Sequence, residues 1–364
     1  MTALDRTLAA VVAHGLPGAP AGLANLRADD FDVLLANAAE QRVVGHLVAA
    51  IDSGALAADD DQRARAHEAH HGALALDLLL ERLLVDTTAV LAGAGIAHRA
   101  LKGPVLAHTV YADPALRSFG DVDVLVDGAR FDDAVAALAR GGGRRRYREP
   151  RPHFMARFGK GVCVETGGGL EVDVHRVFVS GPFGLAIDPA DLFATADTVR
   201  IGGVDVPALD PTLRFLHACY HASLGGRVPR LSALRDVAET ARDADPDRAL
   251  ALAARWRGRA VVQRALDCTR ATLPAELAGP LFDWAAGYTP DRFETTALRA
   301  YVSERRSYAV QAFGGVWAIR GVRARAAYAR ALLVPTRDYV GEREGSYTRR
   351  WRRGLALARR WRRD

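Results

Sequence analysis

Phe119-Gly120-Asp121-Val122-Asp123-Val124-Leu125-Val126 carries a valine at every second position from 122 onward. A period of two belongs to a strand, where successive side chains leave opposite faces. Val122, Val124 and Val126 therefore share one face, and Asp121 and Asp123 share the other, with backbones roughly 6 to 7 Å apart. Two carboxylates so placed repel each other, and a divalent cation between them removes the repulsion. Hard oxygen ligands suit magnesium or manganese, and magnesium draws phosphate oxygens into its shell.

Upstream, residues 30–93 are rich in Ala, Leu, Glu and Arg at helical spacing, as in Leu76, Leu79, Leu80, Leu83 and Leu84. Gly93-Ala94-Gly95 ends that run. Residues 96–101 read as a short strand leading into Lys102-Gly103-Pro104, with Pro104 suited to the first turn of a helix over 105–111. Ala112-Asp113-Pro114 is a turn signal. Downstream, residues 131–140 form an amphipathic helix closed by Gly141-Gly142-Gly143, strands follow at 161–165 and 170–178, and a further strand pair lies within 198–206. From Pro211 the pattern is helical almost to the end. The fold class is α+β: a small mixed-sheet core over residues 94–208, a helical region over 1–93, and a helical domain with a basic tail over 209–364.

Leu170-Glu171-Val172-Asp173-Val174-His175 repeats the alternation and sets Glu171, Asp173 and His175 on one face. If this strand neighbours the first, Asp173 adds a third carboxylate. Three acids converging from adjacent strands are the usual protein contribution to two-metal phosphoryl transfer. Lys102, at a strand-to-helix turn with Gly103 allowing close backbone approach, suits anionic phosphates, and Arg117 suits a bidentate phosphate clamp.

The ordered set Leu101-Lys102-Gly103, Tyr111-Ala112-Asp113-Pro114, Arg117, Asp121 to Val126 and Val172-Asp173-Val174-His175 resembles the uncharacterised bacterial nucleotidyltransferases of the polymerase-beta-like superfamily. A weaker match continues through Leu216-His217, His221, Arg230-Leu231 and Arg235-Asp236, so the resemblance covers residues 97–242. It implies a nucleotidyltransferase fold in which Asp121 and Asp123 bind both metals and Asp173 binds the catalytic one beside the attacking hydroxyl. The implied reaction moves a nucleoside monophosphate from an NTP, ATP first among them, to an unidentified acceptor and releases pyrophosphate. Magnesium is the implied ion, with manganese as the substitute. The superfamily's Gly-Ser pair at a helix start is absent: Lys102-Gly103 occupies that turn and Ser118 lies nearer the acids, so Lys102, Gly103, Arg117 and Ser118 are the candidates for the nucleotide.

Several other residues have bland readings. Glu171 and His175 divide evenly between metal-site roles and solvated strand positions, and Glu165 between an extra acid and an edge residue. His217 and His221, four apart on a helix, lack the glutamate of a zinc peptidase and read as packing or cleft histidines. Tyr111 and Asp113 read as a core aromatic and a turn initiator. Cys163, Cys219 and Cys268 contain no Cys-x-x-Cys pair and read as reduced and structural.

The 364 residues are 49% hydrophobic and 25% charged with a net charge of +6, the composition of a globular protein. Lysine is scarce against arginine, so the positive balance reflects compositional bias more than nucleic-acid binding. The residues 347–363, with Trp351, Leu355 and Ala358 among arginines, read as a closing amphipathic helix, and nucleic acid through this tail is not favoured. No apolar run reaches membrane-spanning length and residues 1–14 lack signal-peptide character, so the expected compartment is cytoplasmic, without membrane insertion. Two rivals stand beside the transferase. A noncatalytic nucleic-acid- or partner-binding protein has no reason to cluster acids that repel phosphate, and a phosphotransferase lacks support from any Walker A or kinase glycine-rich loop.

Overall fold

The computed structural model describes residues 2–23, 26–303, 308–350 and 352. Seven strands form one mixed sheet: β1 (His98–Ala100), β2 (Val122–Val126), β3 (Arg144–Arg145), β4 (Gly161–Glu165), β5 (Glu171–His175), β6 (Asp197–Ile201) and β7 (Val204–Ala208). Their order across the sheet is β3-β4-β5-β2-β1-β7-β6. β2 runs parallel to β5 and antiparallel to β1, and β1 runs parallel to β7. Helices flank the sheet on both sides, giving the α+β arrangement expected from the sequence.

The alternation in β2 divides its side chains between two cores. Val122, Val124 and Val126 pack with Val172 and Val174 of β5 against Leu80, Leu84 and Leu91 of the long helix Asp60–Gly93 and Phe131, Ala134 and Leu138 of the helix Phe131–Arg140. Leu125 faces the other way, into a larger core where N-terminal helical residues such as Phe31, Leu34 and Leu47 meet Phe215, Leu216 and Trp256 from beyond residue 209. The two helical flanks thus share one core over the face that carries Asp123.

Local chemistry fixes the elements that matter. The long helix opens with a capping box in which Asp59 accepts from Gln62 N and Gln62 answers to Asp59 N. The helix Pro211–Leu224 starts on Asp210, which accepts from Thr212 N and Leu213 N, with Pro211 in the first turn. The helix after Lys102 is shorter than expected, Pro104–Thr109, and its preceding Gly103 has φ +65°, a conformation open to glycine and strained for other residues.

Several short elements had no signal in the sequence pattern: the helices Phe154–Phe158, Pro182–Ala186 and Pro189–Phe193 and the two-residue strand β3. Each is too short to display a period. Among the described residues no helix is long and apolar enough to cross a membrane. Trp351, Leu355 and Ala358 of the basic tail lie outside the described residues.

Candidate active site

Burying the valines of β2 and β5 on one face aims the intervening residues at the other. Because the two strands are parallel neighbours, Asp123 stands directly beside Asp173, and Leu125 beside His175. The donor atoms of Asp123, Asp173 and His175 lie within 4.8 Å of one another, which makes this trio a group able to hold a metal ion. His175 Nε2 is 2.8 Å from Asp123 Oδ1, while its buried Nδ1 has no hydrogen-bond partner. Asp123 and His175 are 4% and 2% exposed, so the charge of Asp123 has to be met by protein groups or an ion.

Lys102 meets it. Its strand is held to β2 by the Leu101 N–H, which donates to the Asp123 carbonyl at 3.1 Å. Lys102 Nζ then reaches Asp123 Oδ2 at 2.6 Å and Asp121 Oδ1 at 2.9 Å, and Arg42 Nη1 stands 3.7 Å from the same Asp121 oxygen. Burial opposes charge on Asp123, but Lys102 and the His175 hydrogen bond outweigh it and hold the carboxyl well below its usual range. Burial likewise disfavours charged Lys102, and Asp123 with Asp121 overturns that and lifts its pKa. Asp173 is pushed up, chiefly by burial and further by Asp123 and Asp121. The acid face is therefore one fully ionised carboxylate, one carboxylate with raised proton affinity, and an ammonium bridging Asp121 to Asp123.

The chain contains two lysines, Lys102 and Lys160, and the second adds positive potential at Asp123, Asp173 and His217. Nothing in the residue patterns around position 160 singled it out. Its rarity could have done so: every other basic side chain is arginine or histidine, and both lysines act on these acids.

Arg117 is tied to a carboxylate of the C-terminal helices. Its fork is bidentate with Asp236, Nε to Oδ1 at 2.7 Å and Nη2 to Oδ2 at 2.8 Å, and Nη1 donates to the Ser118 carbonyl. Tyr111 donates to the same Asp236 at 2.8 Å. A guanidinium buried to 5% exposure needs such a counter-ion, so the fork anchors the loop before β2 to the helix Leu231–Thr240, while the residue also lines the cleft that holds Lys102 and Asp121. Ser118 is also buried, beside the Asp77 carboxylate, and Asp77 accepts from Phe119 N at 2.9 Å. Asp236 was not named as a site residue from the sequence; its only signal was its place in the weaker matching block.

His217 is buried with its ring edge-on to Phe178 at 4.9 Å, and burial reinforced by His175, Lys102 and Lys160 pushes it down to about 3, so it is uncharged. His221, one turn on, lines a cleft of about 470 Å³ together with Arg42, Lys102, Gly103, Asp121 and Arg230. Glu171 and Glu165 are spent on Arg146 and Arg144 at the far ends of their strands, and Asp113 caps the short helical turn Pro114–Leu116. All three cysteines are free thiols.

Two carboxylates and an imidazole beside a cationic cleft form a donor set for a divalent cation with an anion next to it. The model of a family described as "Uncharacterised nucleotidyltransferase" matches residues 27–274, and the chain belongs to that family. No curated relative matches. Among solved structures, an antigenic nucleotidyltransferase-like protein from Paracoccidioides brasiliensis is similar over 57% of this chain and 96% of that one, at 16% identity and a TM-score of 0.33. A likeness at that level carries no inference about this chain.

Proposed function

We propose that the protein transfers a nucleoside monophosphate from an NTP, ATP first, to an acceptor hydroxyl with release of pyrophosphate. The observation that carries this reading is the register of β2 and β5, which sets Asp123 beside Asp173 with His175 in reach and Asp121 at the cleft edge. The donor set fits a divalent cation: the acids repel, and His175 Nδ1 shows that the imidazole is not locked by a second hydrogen bond. Asp123, Asp173 and His175 would hold the ion, with Asp121 as the further carboxylate; carboxylates favour magnesium and the imidazole tolerates manganese. When bound, the ion supplies charge neutralisation of the phosphates and acidifies the attacking hydroxyl.

The remaining work falls to this chain's own side chains. Lys102, Arg42 and Arg230 give the cleft its positive charge and orient the phosphates. Asp173, the third acid of the group, stands where it orients the acceptor hydroxyl. Uncharged His217, packed edge-on to Phe178, stands near Asp123 and His175 without adding charge to the site. Ser118 and Arg117 are proposed to act by fixing the loop before β2.

Calorimetric titration of each NTP, with magnesium and with a chelator, tests the reading. The expected result is nucleotide binding that requires the metal and, with a panel of hydroxylated acceptors, pyrophosphate as product. Metal-independent or absent nucleotide binding supports the noncatalytic alternative, and a nucleoside diphosphate product supports a phosphotransferase.

A further inference from the structure

The ammonium of Lys102 stands on the oxygens that a divalent ion would use. Asp123 has none to spare: its Oδ1 lies 2.8 Å from His175 Nε2 and its Oδ2 lies 2.6 Å from Lys102 Nζ. Asp121 Oδ1 is shared by Lys102 Nζ at 2.9 Å and Arg42 Nη1 at 3.7 Å. An ion bound through Asp123 therefore has to displace one of two donors. The imidazole can stay, because a neutral ring can turn a lone pair to the ion and His175 belongs to the trio whose donor atoms lie within 4.8 Å. The ammonium cannot: it carries three donors and no lone pair.

Charge points the same way. An ion about 2.1 Å from Asp123 Oδ2 would sit at most about 4.7 Å from an ammonium held 2.6 Å from that oxygen, and a side chain only 12% exposed gains little screening. The flexible stem of Lys102 gives the ammonium somewhere to go, since the residue also lines the cleft of about 470 Å³, with Arg42 and exposed Arg230. Arg117 lines that cleft too, but its fork is held by Asp236. Among the described residues, Lys102 is the cation that reaches both Asp123 and the cleft.

We propose that Lys102 couples the two ligands of this centre: its ammonium competes with the divalent ion for Asp121 and Asp123, and a phosphate chain in the cleft ends the competition by taking the ammonium. The inference rests on the reading of the site as one that takes a metal and phosphates. Metal alone meets acids already neutralised and binds weakly. A phosphate chain alone has to draw Lys102 off those acids and leave them bare, so it binds weakly too. Together each removes the other's cost, a positive coupling carried by one side chain and equal in both directions by linkage.

The test is calorimetry on the full chain, as wild type, Lys102→Met and Lys102→Gln, with magnesium alone and, in chelator, with inorganic triphosphate alone. The expected result is magnesium binding about tenfold tighter and triphosphate binding about tenfold weaker in both variants. Opposite signs set coupling apart from a damaged fold, which would weaken both ligands. Because the chain has two lysines, ¹³C-lysine labelling gives a readout in the wild type that survives any failure of the variants to fold. With the Lys160 signal assigned through Lys160→Arg, magnesium should move the Lys102 side-chain signal saturably toward that of a free lysine. Magnesium no tighter in a folded Lys102→Met protein, triphosphate no weaker, or a Lys102 signal unmoved up to tens of millimolar magnesium would each overturn the proposal. Failure of the nucleotidyl reading looks different: the opposite shifts persist, while no NTP binds more tightly than inorganic triphosphate.

Discussion

Lys102→Met removes the one cation that touches both Asp121 and Asp123, and the cost is set by how deeply each acid is buried. Asp121 keeps Arg42 and a side chain 35% exposed, so it loses little. Asp123 is different: its side chain is 2% exposed, and it would retain His175 alone. Breaking a buried pair by deleting one partner costs about 3 to 5 kcal/mol, and we place this site near about 3 because the imidazole still donates. Denaturant unfolding in chelator at neutral pH should show that loss, and millimolar magnesium or manganese should restore part of it, since the ion takes over the ammonium's role. The pH dependence has a definite sign. Asp123 is depressed in the folded protein, so the stability that Lys102 lends it is present above the ordinary carboxylate range and fades as pH falls through the depressed value. The difference between wild type and Lys102→Met must therefore shrink in acid. A variant as stable as wild type in chelator, or one that divalent ions leave unchanged, would refute the reasoning.

Asp173→Asn should lower nucleotide transfer by about a thousandfold or more while leaving the unfolding midpoint nearly unchanged, as checked by product formation alongside thermal melts. Asp236→Ala strips the counter-ion from Arg117 and the acceptor from Tyr111, and denaturant titration should register a loss of about 3 to 5 kcal/mol. Asp77 is raised to about 6, chiefly by burial, so the stability of wild type should decline as pH rises from the ordinary carboxyl value through about 6 and level off above it. Asp77→Asn, able to keep accepting from Phe119 N, should abolish that decline; parallel stability profiles for the two proteins would count against it.

Where local pattern decides structure, the sequence was enough. The strand Gly161–Glu165 and the helix Phe131–Arg140 follow from alternation, from helical spacing and from the glycines that stop them. The face shared by Asp121 and Asp123, and the one shared by Asp173 and His175, follow from the same period. Which strands are neighbours does not: alternation in β2 and β5 is compatible with many sheet orders, and only the parallel pairing aligns Asp123 with Asp173. Arg117 shows the same limit. An arginine before an acidic strand gives no sign, in the sequence, of the carboxylate 119 residues away that holds its fork. His175 was undecided between solvent and site because strand period gives a side but no depth; the helical core laid over that side supplies the depth. Lysine usage was the overlooked signal, since a chain that uses arginine almost everywhere keeps its two lysines for one place.

The Arg117–Asp236–Tyr111 knot also governs how the molecule can move. It ties the loop entering β2 to the helix Leu231–Thr240, which lines both the cleft beside Lys102 and a second cavity beside Tyr111. Swinging that helix away from the sheet would strand a buried guanidinium, so at about 3 kcal/mol or more the splayed form is held to roughly one molecule in a hundred or fewer. The cleft is then a fixed jaw: its walls are already set before anything enters, and rearrangement falls to side chains such as Lys102, with the backbone frame at rest.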